Sequence, residues 1–419
     1  MKNDTSIFSN DKHLAHVSEA TRQGYNVKVL IRRLHEDEKE KALRFLKSVF
    51  GGWRSISQWD WKFKEVENKL GREASNWVVE DRGKIVGHLA FIPMELRVGS
   101  SIFPVCQLVD GALSEKYRHG GLYGNLVRQV LLDAKEKGNL AVFGFANRPS
   151  YRIYAWLKDF QTICEVPTMF KILGLKNAMR SLHLNLLIKK SGHNGSDSVV
   201  RDLFLILRKK AIVTLITLIR NMTASAITCA MGSNPNAGAQ TPVTSIVDPA
   251  ILGQKLSASW SELSRNFSMA IERNSKYLEW RYINPTASYQ IFVAEKSGHL
   301  LGYVIIASEE KSAEIGKVRL FGLKIGYIVD LVAENEAVIP LLLRAEDELG
   351  KREVCLVNCW TMRKSYSHAM LRSMRYYEMP REIGKITLVA NSNSQNFQAT
   401  ISSAQCKDVL ITLGDSDLV

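Results

Sequence analysis

Apolar and polar positions change period several times along the first 170 residues, and each change predicts an element. Val27 to Leu34 reads as a short strand, and Glu36 to Phe50 as a helix with acidic residues in its first turn, where the dipole favours them. Gly51 and Gly52 supply its stop. Asn76 to Glu80, Ile85 to Val98 and Ile102 to Leu113, separated by turns at Asp81-Arg82-Gly83-Lys84 and near Gly99, predict an antiparallel meander. Leu122, Leu126, Val127, Val130, Leu131 and Ala134 then form one stripe of a helix running to about Lys137, with Gly138 as its stop. Leu140 to Phe145 reads as a buried strand.

The second half echoes the first. Trp61-Lys62-Phe63 returns as Trp280-Arg281-Tyr282, Ile85-Val86-Gly87-His88 as Leu301-Gly302-Tyr303-Val304, and Arg148-Pro149-Ser150-Tyr151 as Arg363-Lys364-Ser365-Tyr366. Three blocks in one order, about 215 to 220 residues apart, predict a duplicated α/β unit. The divisions that follow are a polar, mobile N-terminal tail (1–26), a first domain (27–172), a partly helical connector (173–262), a second domain (263–392) and a C-terminal segment (393–419).

Charge changes the picture in one place. The 419-residue chain carries a formal net charge of +14, and residues 171–260 hold eleven Lys and Arg against three Asp. The excess therefore gathers on the connector, where Arg208, Lys209, Lys210 and Arg220 bound the apolar run Ala211 to Ile219. Nine residues are too few to span a bilayer as a helix. The run reads as a connector packed against the domains, or as a basic helix in weak peripheral contact with an anionic membrane. No zinc-finger, helix-turn-helix or Arg-aromatic pattern accompanies the charge, so no nucleic-acid partner is expected. The six cysteines lack paired metal-site spacing and the density of a secreted disulfide scaffold, and no apolar leader opens the sequence. A cytoplasmic protein without a metal is expected.

The candidate chemistry lies where a strand meets a helix. Tyr117-Arg118-His119-Gly120-Gly121-Leu122-Tyr123-Gly124 bears three glycines, and first-turn amides at such a junction bind anionic oxygens. An ordinary strand-helix turn with glycines at positive φ remains the alternative. The segment resembles motif A of the GNAT superfamily of N-acyltransferases, R/Q-x-x-G-x-G/A, with Arg118, Gly121 and Tyr123 in the patterned places. Tyr123 replaces a small residue, so its side chain is expected to point away from the cofactor. A second block, Asn147-Arg148-Pro149-Ser150-Tyr151-Arg152-Ile153-Tyr154, resembles the family's N-x-x-A-x-x-L-Y. Ser150 and Ile153 are substituted; Asn147 and Tyr154 match.

The resemblance covers about Val27 to Phe170. It implies an α/β fold of two GNAT-like lobes, each a mixed, mainly antiparallel sheet flanked by helices. It also implies acetyl-CoA or another acyl-CoA as co-substrate, held by Arg118, His119, Gly120, Gly121, Leu122, Tyr123, Gly124 and Asn147. A strand bulge near Ala112 and Leu113 would offer main-chain groups to the pantetheine and thioester. Tyr154 takes the general-acid position; Asp110 and His88 are candidates for the base, with a water chain as the alternative. In the second lobe, Glu334 and Glu336 stand at the equivalent helix start and would repel a pyrophosphate. The expected function is N-acyl transfer, N-acetylation first, to a primary amine of a small molecule such as an amino sugar of surface-polysaccharide synthesis. The alternatives are a Fem-type aminoacyl or N-myristoyltransferase-type long-chain acyl transferase, and a non-catalytic CoA-binding protein. Trp61 and Trp280 read as core anchors or as aromatic walls for a sugar. Gly414-Asp415-Ser416-Asp417 reads as a solvated tail rather than a calcium loop.

Overall fold

The computed structural model describes residues 15–22, 25–51, 55–118, 121–174, 241–246, 248–285, 287–315, 318–380, 385–392, 397 and 408–417. The chain divides into two compact units, and neither is contiguous in sequence. The first comprises 1–166, 264–286 and 385–410, and the second 167–263, 287–384 and 411–419.

In the first unit, β1 (Ala15–Arg22), β2 (Tyr25–Arg33), β3 (Ser75–Asp81), β4 (Lys84–Val98) and β5 (Ser101–Leu113) pair antiparallel in that order. The presence of β1 corrects the expectation of a mobile tail to residue 26. Its composition is polar, but an outer strand is held by main-chain hydrogen bonds and needs no apolar run. From β5 the chain crosses through α4 (Leu122–Glu136) to β6 (Ala141–Ala146), which lies parallel to β5. Before β3 come α1 (Lys39–Phe50) and α2 (Ile56–Trp59), a π-helical stretch Asp60–Glu65, and α3 (Val66–Leu70). After β6 comes α5 (Arg148–Leu157), then β7 (Gln161–Val166). The apolar stripe on α4 buries Leu122, Leu126, Val127, Val130 and Ala134 against Trp77, Val79, Leu89 and Phe91. Asp133, on the same helix and 2% exposed, accepts hydrogen bonds from the Trp77 indole (2.7 Å), from Ser75 and from Arg33, which fixes the helix to the sheet.

The second unit contains β8 (Thr168–Ile172), β9 (Val243–Ile246), β11 (Gln290–Lys296), β12 (His299–Ile315), β13 (Val318–Ala333), β14 (Leu356–Trp360) and β15 (Tyr377–Glu378). Its strand order is β15-β8-β14-β13-β12-β11-β9. It reproduces the plan of the first: an antiparallel β11-β12-β13 meander, a crossover helix Asn335–Lys351, and a parallel strand β14. Helices Pro249–Leu263 and Tyr366–Ser373 complete it.

The strand that flanks each parallel pair comes from the other half of the sequence. In the first unit β16 (Ile386–Ser392) lies between β6 and β7, antiparallel to both, while β10 (Met269–Ile271) pairs with β4 and with β17 (Val409–Leu410). In the second unit β8, expected with the first domain, lies between β14 and β15. Arg97 on β4 makes a two-point ion pair with Glu272 just after β10, at 2.7 and 2.8 Å.

Residues Gly414 to Ser416 are buried, not the solvated tail expected. The Asp415 carboxylate accepts from the Thr412 amide at 2.8 Å, so it is used in closing a turn. Residues 175–240, which hold Arg208 to Arg220, lie outside the described residues. Among the described residues no helix is long and apolar enough to cross a membrane.

Candidate active site

Three features of the first unit converge at the C-terminal end of β5. The first is the end of a ladder within the sheet. Parallel pairing of β5 with β6 runs from Val105/Ala141 to Gln107/Phe143 and stops, although both strands continue. Beyond that point no ladder is described between the two strands, although they stay close at the next position, where a Cβ added at Gly144 would lie 3.6 Å from Leu108 Cβ.

The second is a bulge on β5. His88 pairs with Ala112 and Ala90 with Val109, so Asp110 and Gly111 together face the single residue Leu89. Asp110 adopts φ +55°, a left-handed conformation that Asp tolerates better than most residues. The bulge thus sits two residues before the Ala112-Leu113 position expected. Ala112 and Leu113 are buried and in register with His88 and Gly87, and the Leu113 carbonyl accepts from Arg118 Nε at 3.3 Å. The exposed backbone here belongs to Gly111.

Buried polar groups hold the bulge. Lys62, 8% exposed on the π-helical stretch, places Nζ 3.2 and 3.3 Å from the two Asp110 carboxylate oxygens. His88 is fully buried; its Nδ1–H donates to the Asp110 carbonyl at 3.0 Å, and the ring stands edge-on to Trp59 with centroids 5.7 Å apart. Lys62 did not emerge from the sequence reading. The signal was its place in the repeated Trp-basic-aromatic block, because Arg281, its counterpart, is also buried. Trp61 and Trp280 stack on each other with centroids 5.5 Å apart, and each indole N–H donates to the other's carbonyl, at 2.7 and 2.9 Å. They are anchors for one another.

The third feature is the start of α4. Gly121 is its N-cap at φ +77° and provides no side-chain cap, so first-turn amides remain available to an anion. Gly124 packs closely under α5: an added Cβ would approach Leu157 at 3.1 Å and Trp156 at 3.3 Å. Arg118 is exposed next to this turn, and Leu122 is buried in the core. His119 and Gly120 lie outside the described residues.

Tyr123 corrects the expectation that its side chain points away from the site. It turns inward, with its hydroxyl against Gly111. Tyr154 is 5% exposed and packs on Phe160 with centroids 4.6 Å apart. Burial pushes both phenols up, and the neighbouring Tyr123 oxygen pushes Tyr154 further, well above the ordinary tyrosine value. Asn147, expected at the cofactor, caps α5: its Oδ1 accepts from the Ser150 amide at 3.1 Å and from the Ser150 hydroxyl at 2.9 Å.

The second unit keeps part of this plan. Gly302 pairs with Ala333 as Gly87 does with Leu113, so Asp330 takes the place of Asp110. There Tyr303, at the position of His88, donates its hydroxyl to Asp330 Oδ2 at 3.0 Å, both residues being fully buried. Its crossover helix starts with Glu334 as N-cap and Glu336 in the first turn, where Glu336 pairs with Lys296 at 3.1 Å. Among the described residues no three His, Cys, Asp or Glu side chains gather as a metal site would require.

Residues 30–157 match the family model of the acetyltransferase (GNAT) domain. Over those residues the chain is similar to a GNAT domain. That domain spans β2 to α5, and so includes the bulge, the α4 start and Tyr154. No curated protein matches the sequence. Solved structures similar to it share its fold at low identity. One is a probable N-acyltransferase of unknown function from Enterococcus faecalis, 10% identical with a TM-score of 0.51 over 87% of this chain and 73% of that one. Another is a GCN5-related N-acetyltransferase from Anabaena variabilis, 12% identical with a TM-score of 0.51 over 86% and 72%. A third is the Saccharomyces cerevisiae N-myristoyltransferase solved with myristoyl-CoA, 11% identical with a TM-score of 0.51 over 98% and 92%. The GNAT domain and these likenesses agree with two GNAT-like lobes, each a mixed sheet flanked by helices.

Proposed function

We propose that the protein is an N-acyltransferase that moves an acyl group, acetyl in the first instance, from acyl-CoA to the primary amine of a small molecule, with amino sugars as the acceptor class. The observation that carries this reading is the convergence at one end of β5 of an uncapped helix start, a strand pair whose ladder stops short and a buried tyrosine, all inside the stretch that matches the GNAT domain. The pyrophosphate of acyl-CoA would take the α4 amides and Arg118. Its pantetheine arm would extend from there along the end of β5, where its ladder with β6 has stopped, and the thioester would reach the bulge at Gly111.

The chemistry then runs as follows. The neutral amine attacks the thioester carbonyl carbon and forms the C–N bond, and collapse of the tetrahedral adduct breaks the C–S bond. Tyr154 gives its proton to the departing thiolate. A phenol held well above its ordinary value stays protonated at neutral pH until the thiolate needs the proton. The amine's surplus proton passes to water. Asp110, bonded by Lys62 at both carboxylate oxygens, serves to hold the bulge together with His88.

Calorimetric titration with CoA, acetyl-CoA and longer acyl-CoAs, followed by thiol release with a panel of amino sugars, tests the reading. Micromolar binding of acetyl-CoA and amine-dependent thiol release are expected; absence of both would remove it. The extent of the N-myristoyltransferase likeness favours one second reading, transfer of a long acyl chain. Preference for a chain of twelve or more carbons, roughly, would select it.

A further inference from the structure

Trp156, on α5, is 63% exposed, more than any other large hydrophobic side chain among the described residues. One exposed apolar residue is ordinary; the place of this one is not. The edge of its six-membered ring lies along the first turn of α4. A Cβ added at Gly124 would come within 3.3 Å of Cζ3, and one added at Gly121 would stand 4.0 Å from Cη2. Two glycines three residues apart thus let the ring rest on the helix start that is proposed to hold the pyrophosphate, while most of the indole faces solvent. The charge nearby suits a phosphorylated ligand. Arg152, one turn before Trp156 on the same side of α5, and Arg118, beside the α4 start, are both exposed.

We infer that Trp156 is the platform for the nucleotide base of acyl-CoA: the adenine stacks on the exposed indole while the pyrophosphate takes the α4 amides. The inference rests on the proposed reading of that helix start as the pyrophosphate site. In acyl-CoA a single ribose joins the pyrophosphate to the adenine, so the base comes down close to whatever flanks the phosphates. On the α5 side that is Trp156. A purine laid on an indole removes apolar area of both from water and brings two polarisable π systems into contact, with no need for hydrogen bonds to the edges of the base. The phosphorylated ribose between base and pyrophosphate would lie within the charge of Arg118 and Arg152. The ring therefore acts on affinity for the cofactor and takes no part in the chemistry at the thioester.

Two measurements on the full chain test it, with folding of each variant checked by circular dichroism and thermal unfolding. The first is calorimetric titration with acetyl-CoA. Trp156→Ala is expected to raise Kd about tenfold, whereas Trp156→Phe, which keeps a ring, should stay within about threefold of wild type. The second uses 1,N6-etheno-CoA, whose fluorescent base reports its own surroundings. Its emission should be quenched on binding to wild type by the stacked indole, and at saturation that quenching should disappear in Trp156→Ala. Acetyl-CoA affinity within about twofold of wild type in Trp156→Ala, or etheno-CoA that binds wild type with its emission unchanged, would overturn the inference and leave the pyrophosphate site in place. A loss in Trp156→Phe as large as in Trp156→Ala would also overturn it, since a packing role rather than a stacked base would then explain both. Absence of acetyl-CoA binding to wild type would instead overturn the reading on which the inference rests.

Discussion

A lysine buried to 8% exposure beside a carboxylate at a strand bulge is costly to place and costlier to leave alone. Lys62→Met strips Asp110 of its counter-charge inside the protein, and the expected loss of stability is about 3 to 5 kcal/mol. Adding Asp110→Asn should recover a large part of that, because the uncompensated charge is then gone. Denaturant unfolding of the single and double variants measures both, and equal stabilities for the two would show that the pair carries no such penalty. A second residue pair gives a pH prediction. Arg32 hydrogen-bonds the Glu38 carboxylate at 2.7 and 3.0 Å and, against a smaller opposing effect of burial, holds it at about 2, below the usual 4.5. The folded-state value is the depressed one. The stabilisation is therefore complete above about pH 4.5 and disappears as pH falls toward 2. Glu38→Gln should cost stability at pH 7 and flatten the decline between pH 5 and 2; an unchanged acid limb would separate Glu38 from it.

Between residue and fold, the start of α4 decides whether the ligand is held. Gly121 sits at φ +77°, so any side chain there is strained, and a carboxylate would also face the amides an anion needs. Gly121→Glu should abolish acetyl-CoA binding at a cost in stability of about 1 kcal/mol or more, read by calorimetry and thermal unfolding. Retained binding would place the cofactor elsewhere. Gly111→Ala probes the facing element. Its methyl group would overlap the Tyr123 hydroxyl, so the ring must shift and thermal unfolding should show a loss of stability. The same methyl in a Tyr123→Phe background should cost less, since Cζ at 3.4 Å is ordinary contact and only Leu89 Cδ1, at 3.2 Å, must then give. Sequence showed these elements because each is set locally: the α4 stripe, the Asp81 to Lys84 turn and the glycine stops all act within a few residues. It did not show what faces them. The position of Tyr123 was plain, yet its direction depends on a glycine twelve residues earlier on another element. Lys62 looked like one more charge on a helix until the bulge supplied its partner.

At the scale of the whole chain, the duplication was visible as echoed blocks, while the exchange of strands between the halves was not. Strand pairing is non-local, and β8 and β16 carry no signal of which sheet will take them. The exchange has a testable cost. β6 and β7 make no ladder with each other and are joined through β16, so a fragment ending at residue 174 leaves β6 an open edge containing Val142 and Phe143. It also lacks β10 and β17 beside β4. Such an edge invites pairing with other chains. Residues 1–174 expressed alone should therefore aggregate or show no cooperative melt. Among the described residues, β8 pairs with β14 and β16 with β6, so 1–174 and 241–419 expressed together each supply the strand the other lacks. They should co-purify as a one-to-one complex with a cooperative transition, and they should bind acetyl-CoA within about tenfold of the intact chain. Size exclusion, thermal unfolding and calorimetry read the three properties. A monomeric 1–174 fragment that melts cooperatively and binds acetyl-CoA unaided would show that β16 is dispensable, and that the first sheet is complete without its borrowed strand.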